Sequence, residues 1–420
     1  MAVTPGVGIL VPDSITAKEA GDLLRHSWSN ETNMESLLVD PLMNIPLLTE
    51  PVDPGQDRKS FSLKEGYLFH DVTPPGMESY VRTVRLQLTK SLSGAAQEGN
   101  ATYLLGNEED IKVKQFSAYA NDWRHGVTTQ AYGIDYRENE PTKVYQSAKP
   151  LLAQWQGEYM GWNARMALIQ RISSNLTTAP ISLTPSWNQN WHIPGVASAS
   201  QPAYSAVDAT YETNIIAAMD GATQADAHLT VSNLLELEQV ARDKYIKPVK
   251  WEGKELYFLY VCPEEYNFMR DSINTGSFGS YWQDTAALGS AELDKVIPSD
   301  KFVIGDGLVV CRDNRAAAIG QGIAAINAYY LKQGRNDERK VIAETKKWNA
   351  NILLGQSALV KFQPEKPHYE EQYDVYKQFK GIGYFGACSY MIPSFDLDTK
   401  TDTSAQQEGS MIVPTERTIL

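Results

Sequence analysis

From residue 255 to 262 the chain reads ELYFLYVC, bounded by Gly253 and Pro263. Eight residues rich in aromatic and branched side chains fit a strand better than a helix. With no alternation of polar and apolar positions, such a strand is buried at the centre of a sheet. The fold must therefore be built around a sheet with a covered core. Pro263 opens a short helix, PEEYNFMRD, and KFVIGDGLVVC (301–311) predicts a strand pair with a turn near Asp306 and Gly307.

Two helices stand out. From about Leu151 to Ser173, Trp155, Tyr159, Trp162, Met166 and Ile169 fall at i, i+4, i+7, i+11 and i+14, one continuous stripe. Pro150 sits where a first helical turn tolerates proline. At this length the helix spans about 35 Å, and its stripe is read as core. A second helix runs from about Val231 to Tyr245, with Leu234, Leu237, Ala241 and Tyr245 on one face and Lys244 and Lys247 near its end. Between them, 176–225 is rich in Ser, Thr, Pro, Asn and Ala and reads as an inserted loop with short strands. Strands and helices are intermixed, so the fold class is α+β.

Two segments look unable to bury themselves. In 1–75, a helix candidate at Thr16–Leu24, with Thr16 as N-cap and Glu19 at the capping-box position, is followed by Pro41, Pro46, Pro51 and Pro54. This segment reads as an extended arm. Residues 76–116 read as a long hairpin. Val84, Leu86 and Leu88 alternate with polar residues, SLSGAAQEGNA forms the tip, and a return strand begins near Ile111. A hairpin of this kind is marginal alone and needs a neighbour to cover it.

Motifs that would carry chemistry fail on inspection. Gly381, Gly383 and Gly386 match G-x-G-x-x-G, but a polar stretch precedes them and Pro393 stops any helix after them. Glycines that bend a strand or admit a close neighbour are the better reading. Gly320, Gly322 and Ala325 match the variant form, yet RDNRAAA separates them from the nearest strand. Asp396 and Asp398 begin like a calcium loop, but Lys400 and Thr401 occupy positions that need an oxygen ligand and a glycine, so a solvated polar tail is expected. The six histidines lie far apart, and Cys262, Cys311 and Cys388 form no metal pattern and read as small buried hydrophobes. The adjacent acid pairs Glu108–Glu109, Glu264–Glu265 and Glu370–Glu371 are expected on solvated surface. No metal, cofactor or catalytic residue is expected.

The net charge is −13, and no run of Lys and Arg has the density expected of a face that grips nucleic acid. No apolar run reaches membrane-spanning length, and the N-terminus lacks the pattern of a secretory signal. Synthesis in a reducing cytoplasm is the expectation.

The organisation resembles that of the major capsid proteins of tailed bacteriophages, the Hong Kong 97-type fold. The stretches that carry the resemblance are LLGNEEDIKVKQFSAYANDWRHGV (104–127), VYQSAKPLLAQWQGEYMGWNARMALI, YFLYVCPEEYNFMRDS, and NANILLGQSALVKF followed by EEQYDVYKQFKGIGYFGACSYMIPSF. The resemblance implies an N-terminal arm (1–75), an extended loop (76–116), and a peripheral domain of 117–225 with 351–420. It makes 151–173 the spine helix and 226–350 the axial domain. It also implies self-assembly through hexamers and pentamers into an icosahedral shell enclosing double-stranded DNA in the virion. The partners it implies are portal, scaffolding and decoration proteins, with no membrane. Some family members crosslink subunits through a lysine and an asparagine. Lys90 invites the comparison, but no matching motif is present.

A second reading from a different class is an α+β enzyme or glycan-binding protein. It would use PSWNQNWHIPG (185–195), with Trp187, Trp191 and His192 stacking a sugar.

Overall fold

The computed structural model describes residues 2–3, 10–11, 42, 49–51, 60–63, 66–72, 83–89, 113–120, 122–130, 141–170, 188–197, 200–202, 214–215, 217–219, 228–251, 253–274, 301–304, 307–314, 318–320, 347–373, 379–393 and 409–417. Beyond a short pairing of β1 (Ala2–Val3) with β2 (Leu10–Val11), these residues form three sheets and three long helices, with further helical residues at 214–215 and 217–219.

The largest sheet is organised around β10 (Lys254–Val261). It runs parallel to β12 (Leu308–Arg312) on one side and antiparallel to β14 (Lys347–Leu354) on the other. Alternate residues of β10 enter two different cores. Leu256, Phe258 and Tyr260 point to one, and Tyr257, Leu259 and Val261 to the other. That division is the physical reason the apolar run shows no alternation: both faces are covered. β11 (Lys301–Ile304) pairs with β12 as the expected hairpin. β9 (Val249–Trp251) turns into β10 at Gly253, whose φ of +81° favours a residue without Cβ. β13 (Ala318–Gly320) and β17 (Ser410–Arg417) complete the sheet on β14. Gly320 thus lies inside a strand; Gly322 and Ala325 fall outside the described residues.

The second sheet has the order β3-β5-β15-β16-β8, from β3 (Thr49–Pro51), β5 (Phe69–Val72), β15 (Leu359–Tyr373), β16 (Phe379–Met391) and β8 (Asp122–Gln130). The β15–β16 ladder slips between Phe362 and Glu365 and again between Glu365 and His368. Each slip contains a proline, Pro364 or Pro367, which cannot donate to a ladder. The third sheet is the hairpin of β6 (Thr83–Thr89) and β7 (Val113–Tyr119), with β4 (Ser60–Leu63) parallel to β6. Leu86 at its centre is fully buried, in a small core with Val72, Ala118, Val360 and Phe362. Val84 and Leu88 occupy the alternate β6 positions either side of it. The tip, including Lys90, lies outside the described residues.

α1 (Pro141–Gln170) is longer than the sequence reading. Pro141, rather than Pro150, takes the first helical position, and Pro150 lies inside the helix on its exposed side. α2 (Val231–Asp243) starts at the Thr230 cap, whose hydroxyl accepts the Asn233 amide. It ends two residues earlier than expected. Tyr245 adopts φ +59°, the Ile246 amide bonds the Ala241 carbonyl and the Tyr245 amide that of Arg242, a Schellman ending. Tyr245 therefore turns to solvent, 73% exposed, and Ile246 takes the buried place on that face. α3 (Pro263–Asn274) follows β10 directly, with Pro263 at its first position.

Expectations for the two ends of the chain also meet the structure. Within 1–75, β3 and β5 belong to the second sheet, and Leu68, Phe69, His70 and Val72 are core, so this part is not a free arm. The helix candidate at residues 16–24 lies outside the described residues. The chain does not end in a polar tail throughout: Met411, Ile412 and Val413 of β17 are buried, since they pair along the whole of β14. This pairing places the last strand on β14, in the large sheet rather than the second one. Residues 394–408, with Asp396 and Asp398, lie outside the described set.

Candidate functional site

The structure concentrates its buried polar chemistry where α1 meets the large sheet. The C-terminal half of α1 is buried nearly all round, from Met160 to Ile169. Arg165 sits in that stretch at 1% exposure. Its guanidinium donates from Nε to Asp313 Oδ2 at 2.7 Å, from Nη2 to Asp313 Oδ1 at 2.6 Å and from Nη1 to the Gly161 carbonyl at 3.0 Å. This is a two-point fork, the geometry arginine offers a carboxylate. Asp313 is placed by the sheet itself, since its amide donates to the Val261 carbonyl and extends the parallel β10–β12 ladder by one residue.

The second part of the joint is residues 188–192. Asn188 closes the end of α1: its amide donates to the Ile169 carbonyl and its Nδ2 to the Leu168 carbonyl, satisfying groups a helix end leaves open. The same Nδ2 reaches Ser410 Oγ at 3.0 Å, while Oδ1 accepts the Asn190 amide. Asn190 and His192 then bracket Ile412 by backbone bonds, so that Trp191 bridges to β17 in parallel. Asn188 and Asn190 are buried because their side chains serve backbone groups, the Leu168 carbonyl of α1 and the Ser410 carbonyl of β17.

This geometry does not favour the glycan reading. Trp191 is wholly buried and His192 is 8% exposed, so neither presents a face to a sugar. Burial, and then the charge of Lys244, hold the His192 imidazole down to about 4, so it is neutral at physiological pH. Trp187 lies outside the described residues.

The helix stripe divides along its length. Met166 and Ile169 are fully buried, whereas Trp155, Tyr159 and Trp162 are half-buried at the edge of the same core. Trp155 stacks between His125 of β8, at 4.3 Å, and Tyr159, at 5.0 Å. Trp123 packs beside them and against Tyr384, whose hydroxyl donates to Gln156 Oε1 at 2.6 Å. Here one glycine of the G-x-G-x-x-G match finds its use. Gly381, Gly383 and Gly386 lie inside β16, not at a strand-to-helix turn, and the Trp123 indole occupies the space a Cβ on Gly386 would need, at 2.7 Å.

The acid pairs also divide. Glu265 is 2% exposed and accepts the Leu229 amide and an imidazole hydrogen bond with His228; Glu264 and Glu370 are exposed. Glu108 and Glu109 lie outside the described residues. Cys262 and Cys311 are buried, and Cys388 is partly so. His70 and Ser357 approach to 2.9 Å, but both are buried, which closes this pair to a substrate. Among the described residues, no group of three or more His, Cys, Asp or Glu side chains is arranged to hold a metal ion.

Sequence reasoning missed Arg165, Asp313, Asn188 and Ser410. The one available signal was a charged residue within MGWNARMALI, a segment apolar around its whole circumference, which demands a partner but does not name it.

No family model matches the sequence, and no curated protein matches it significantly. Solved structures do. A chain of the capsid of Ralstonia phage GP4 is 15% identical with a TM-score of 0.57, over 86% of this chain and 90% of that one. The cyanophage Pam1 capsid gives 15% identity and a TM-score of 0.52, over 84% and 89%. The head structure of Helicobacter pylori bacteriophage KHP40 gives 12% identity and a TM-score of 0.52, over 98% and 96%. The chain is a mixed helix-and-sheet protein with the fold of these phage capsid chains.

Proposed function

We propose that this chain is the major capsid protein of a tailed bacteriophage, self-assembling into the icosahedral head shell that encloses packaged double-stranded DNA. The observation that carries this reading is a fold likeness that runs the length of the chain, not one domain of it. Buried polar groups used as joints between elements, as at Arg165–Asp313, suit a structural protein whose function is contact repeated by symmetry. The net charge of −13 suits a wall that encloses DNA without gripping it.

In this proposal the architecture is of Hong Kong 97 type. Residues 1–75 supply an N-terminal arm, whose second half is anchored in the body through β3 and β5. Residues 76–116 form the extended loop on β6 and β7. The peripheral domain comprises 117–225 and 351–420 around α1, and 226–350 forms the axial domain around β10, with β17 returning to its sheet. Copies of the chain form hexamers and pentamers, and portal, scaffolding and decoration proteins are the further partners. The protein acts structurally rather than as an enzyme, is made in the bacterial cytoplasm and ends in the virion.

Sedimentation velocity of the expressed full chain tests this. Species of capsomer mass or larger are expected; a single species at 46.8 kDa across concentrations and salts would overturn it.

A further inference from the structure

We propose that His228, Glu265 and Phe268 form a pH-sensitive clasp between the start of α2 and the first turns of α3, closed while His228 carries a proton and loosened when it loses it. The inference stands on one chain and does not depend on the assembly reading.

The geometry is specific. Glu265 is 2% exposed, and its two oxygens are both engaged: Oε1 accepts the Leu229 amide and Oε2 lies 3.0 Å from His228 Nδ1. The His228 ring stacks on Phe268 at 4.7 Å, and the His228 carbonyl accepts Asn233 Nδ2. Residues 228–230 are thereby held by α3 on one side and by the first turn of α2 on the other. Thr230 caps that turn, so the clasp fixes the entry of the chain into α2.

Protonation decides whether the clasp holds. Among the described residues, the groups facing His228 are Glu265 and Phe268 from α3, Asn233 from α2 and Glu416 from β17; the titratable ones are both acids. Glu416 is 6% exposed, and its Oε2 has no hydrogen-bond partner. A protonated imidazole compensates these carboxylates; a neutral one leaves them buried together without a cation at the ring. The hydrogen bond with Glu265 raises the His228 pKa above its ordinary value, burial opposes this, and the charges of Glu265 and Glu416 add to the rise. For a raised histidine the stabilisation is full below about 6.5, the unfolded value, and is lost as pH climbs through the folded value.

Hydrogen exchange of the intact protein, read by mass spectrometry on peptides covering residues 229–234, tests the proposal. Protection is expressed against the intrinsic rate at each pH, which removes the base catalysis of exchange itself. Between about pH 6 and pH 9, wild-type protection is expected to fall several-fold in this segment, with peptides from β10 unchanged. His228→Gln is expected to show low protection with no pH slope. A flat wild-type profile overturns the clasp, as does the same slope in His228→Gln. Should that variant not fold, the wild-type profile decides alone.

Discussion

Arg165 and Asp313 are 148 residues apart in sequence and joined in the structure by two parallel hydrogen bonds of 2.7 and 2.6 Å, both side chains almost wholly buried. One comes from the long helix and the other from the end of a strand in the large sheet. The pair therefore fixes how the helix sits on that sheet. A buried ion pair is not by itself a large net gain, because two charges have been desolvated to make it. Its removal from one side is another matter.

Arg165→Ala or Asp313→Ala is expected to destabilise the chain by about 3–5 kcal/mol, since either leaves a buried charge without its partner. Arg165→Met combined with Asp313→Leu is expected to recover most of that loss, because no charge then remains. Equilibrium urea unfolding of the three variants checks this. Equal losses in the singles and the double would show that the fork does not govern this joint.

Gly386 and Trp123 make the second test. A Cβ at Gly386 falls 2.7 Å from the indole, and Trp123 is itself hemmed by Trp155, Tyr159 and Tyr384. Gly386→Ala is expected to destabilise by about 1–3 kcal/mol, the usual range for overpacking, and to alter the near-ultraviolet tryptophan signal. Trp123→Phe in the same chain should relieve part of the loss. An unchanged melting temperature and spectrum in Gly386→Ala would count against the packing described.

Thiol chemistry gives a third. Burial pushes the thiols of Cys262 and Cys388 up to about 12. At pH 8 a thiol of that kind is ionised in roughly one molecule in ten thousand, and the thiolate is the reactive form. In the folded protein both are expected to resist a maleimide at pH 8 and to react fully in denaturant. Rapid native labelling of Cys262, located by mass spectrometry, would contradict its placement beneath the first turn of α3.

Much of the architecture was legible because local chemistry forced it. The β10 run called for cover on both faces, Pro263 suits the first position of the helix that follows it, and KFVIGDGLVVC signalled the pairing of β11 with β12. The misreadings share a cause, which is that tertiary contact outweighed local pattern. Pro150 lies inside α1 on its exposed side, so a residue that usually opens or ends a helix did not mark the start of this one. Tyr245 leaves the helix face because a Schellman ending offered Ile246 the buried place. Trp155 and Tyr159 have the spacing of core residues yet stop at its edge, while Arg165 goes inside. The partners of Arg165 and Asn188 come from Asp313 and Ser410, at sequence distances that no periodicity encodes.

Cryo-electron microscopy of particles formed by the full-length protein tests the central claim most directly. The account predicts closed icosahedral shells in which density for the extended loop beyond β6 and β7 rests on a neighbouring copy. A compact lone monomer, with that loop folded onto its own body, would contradict it.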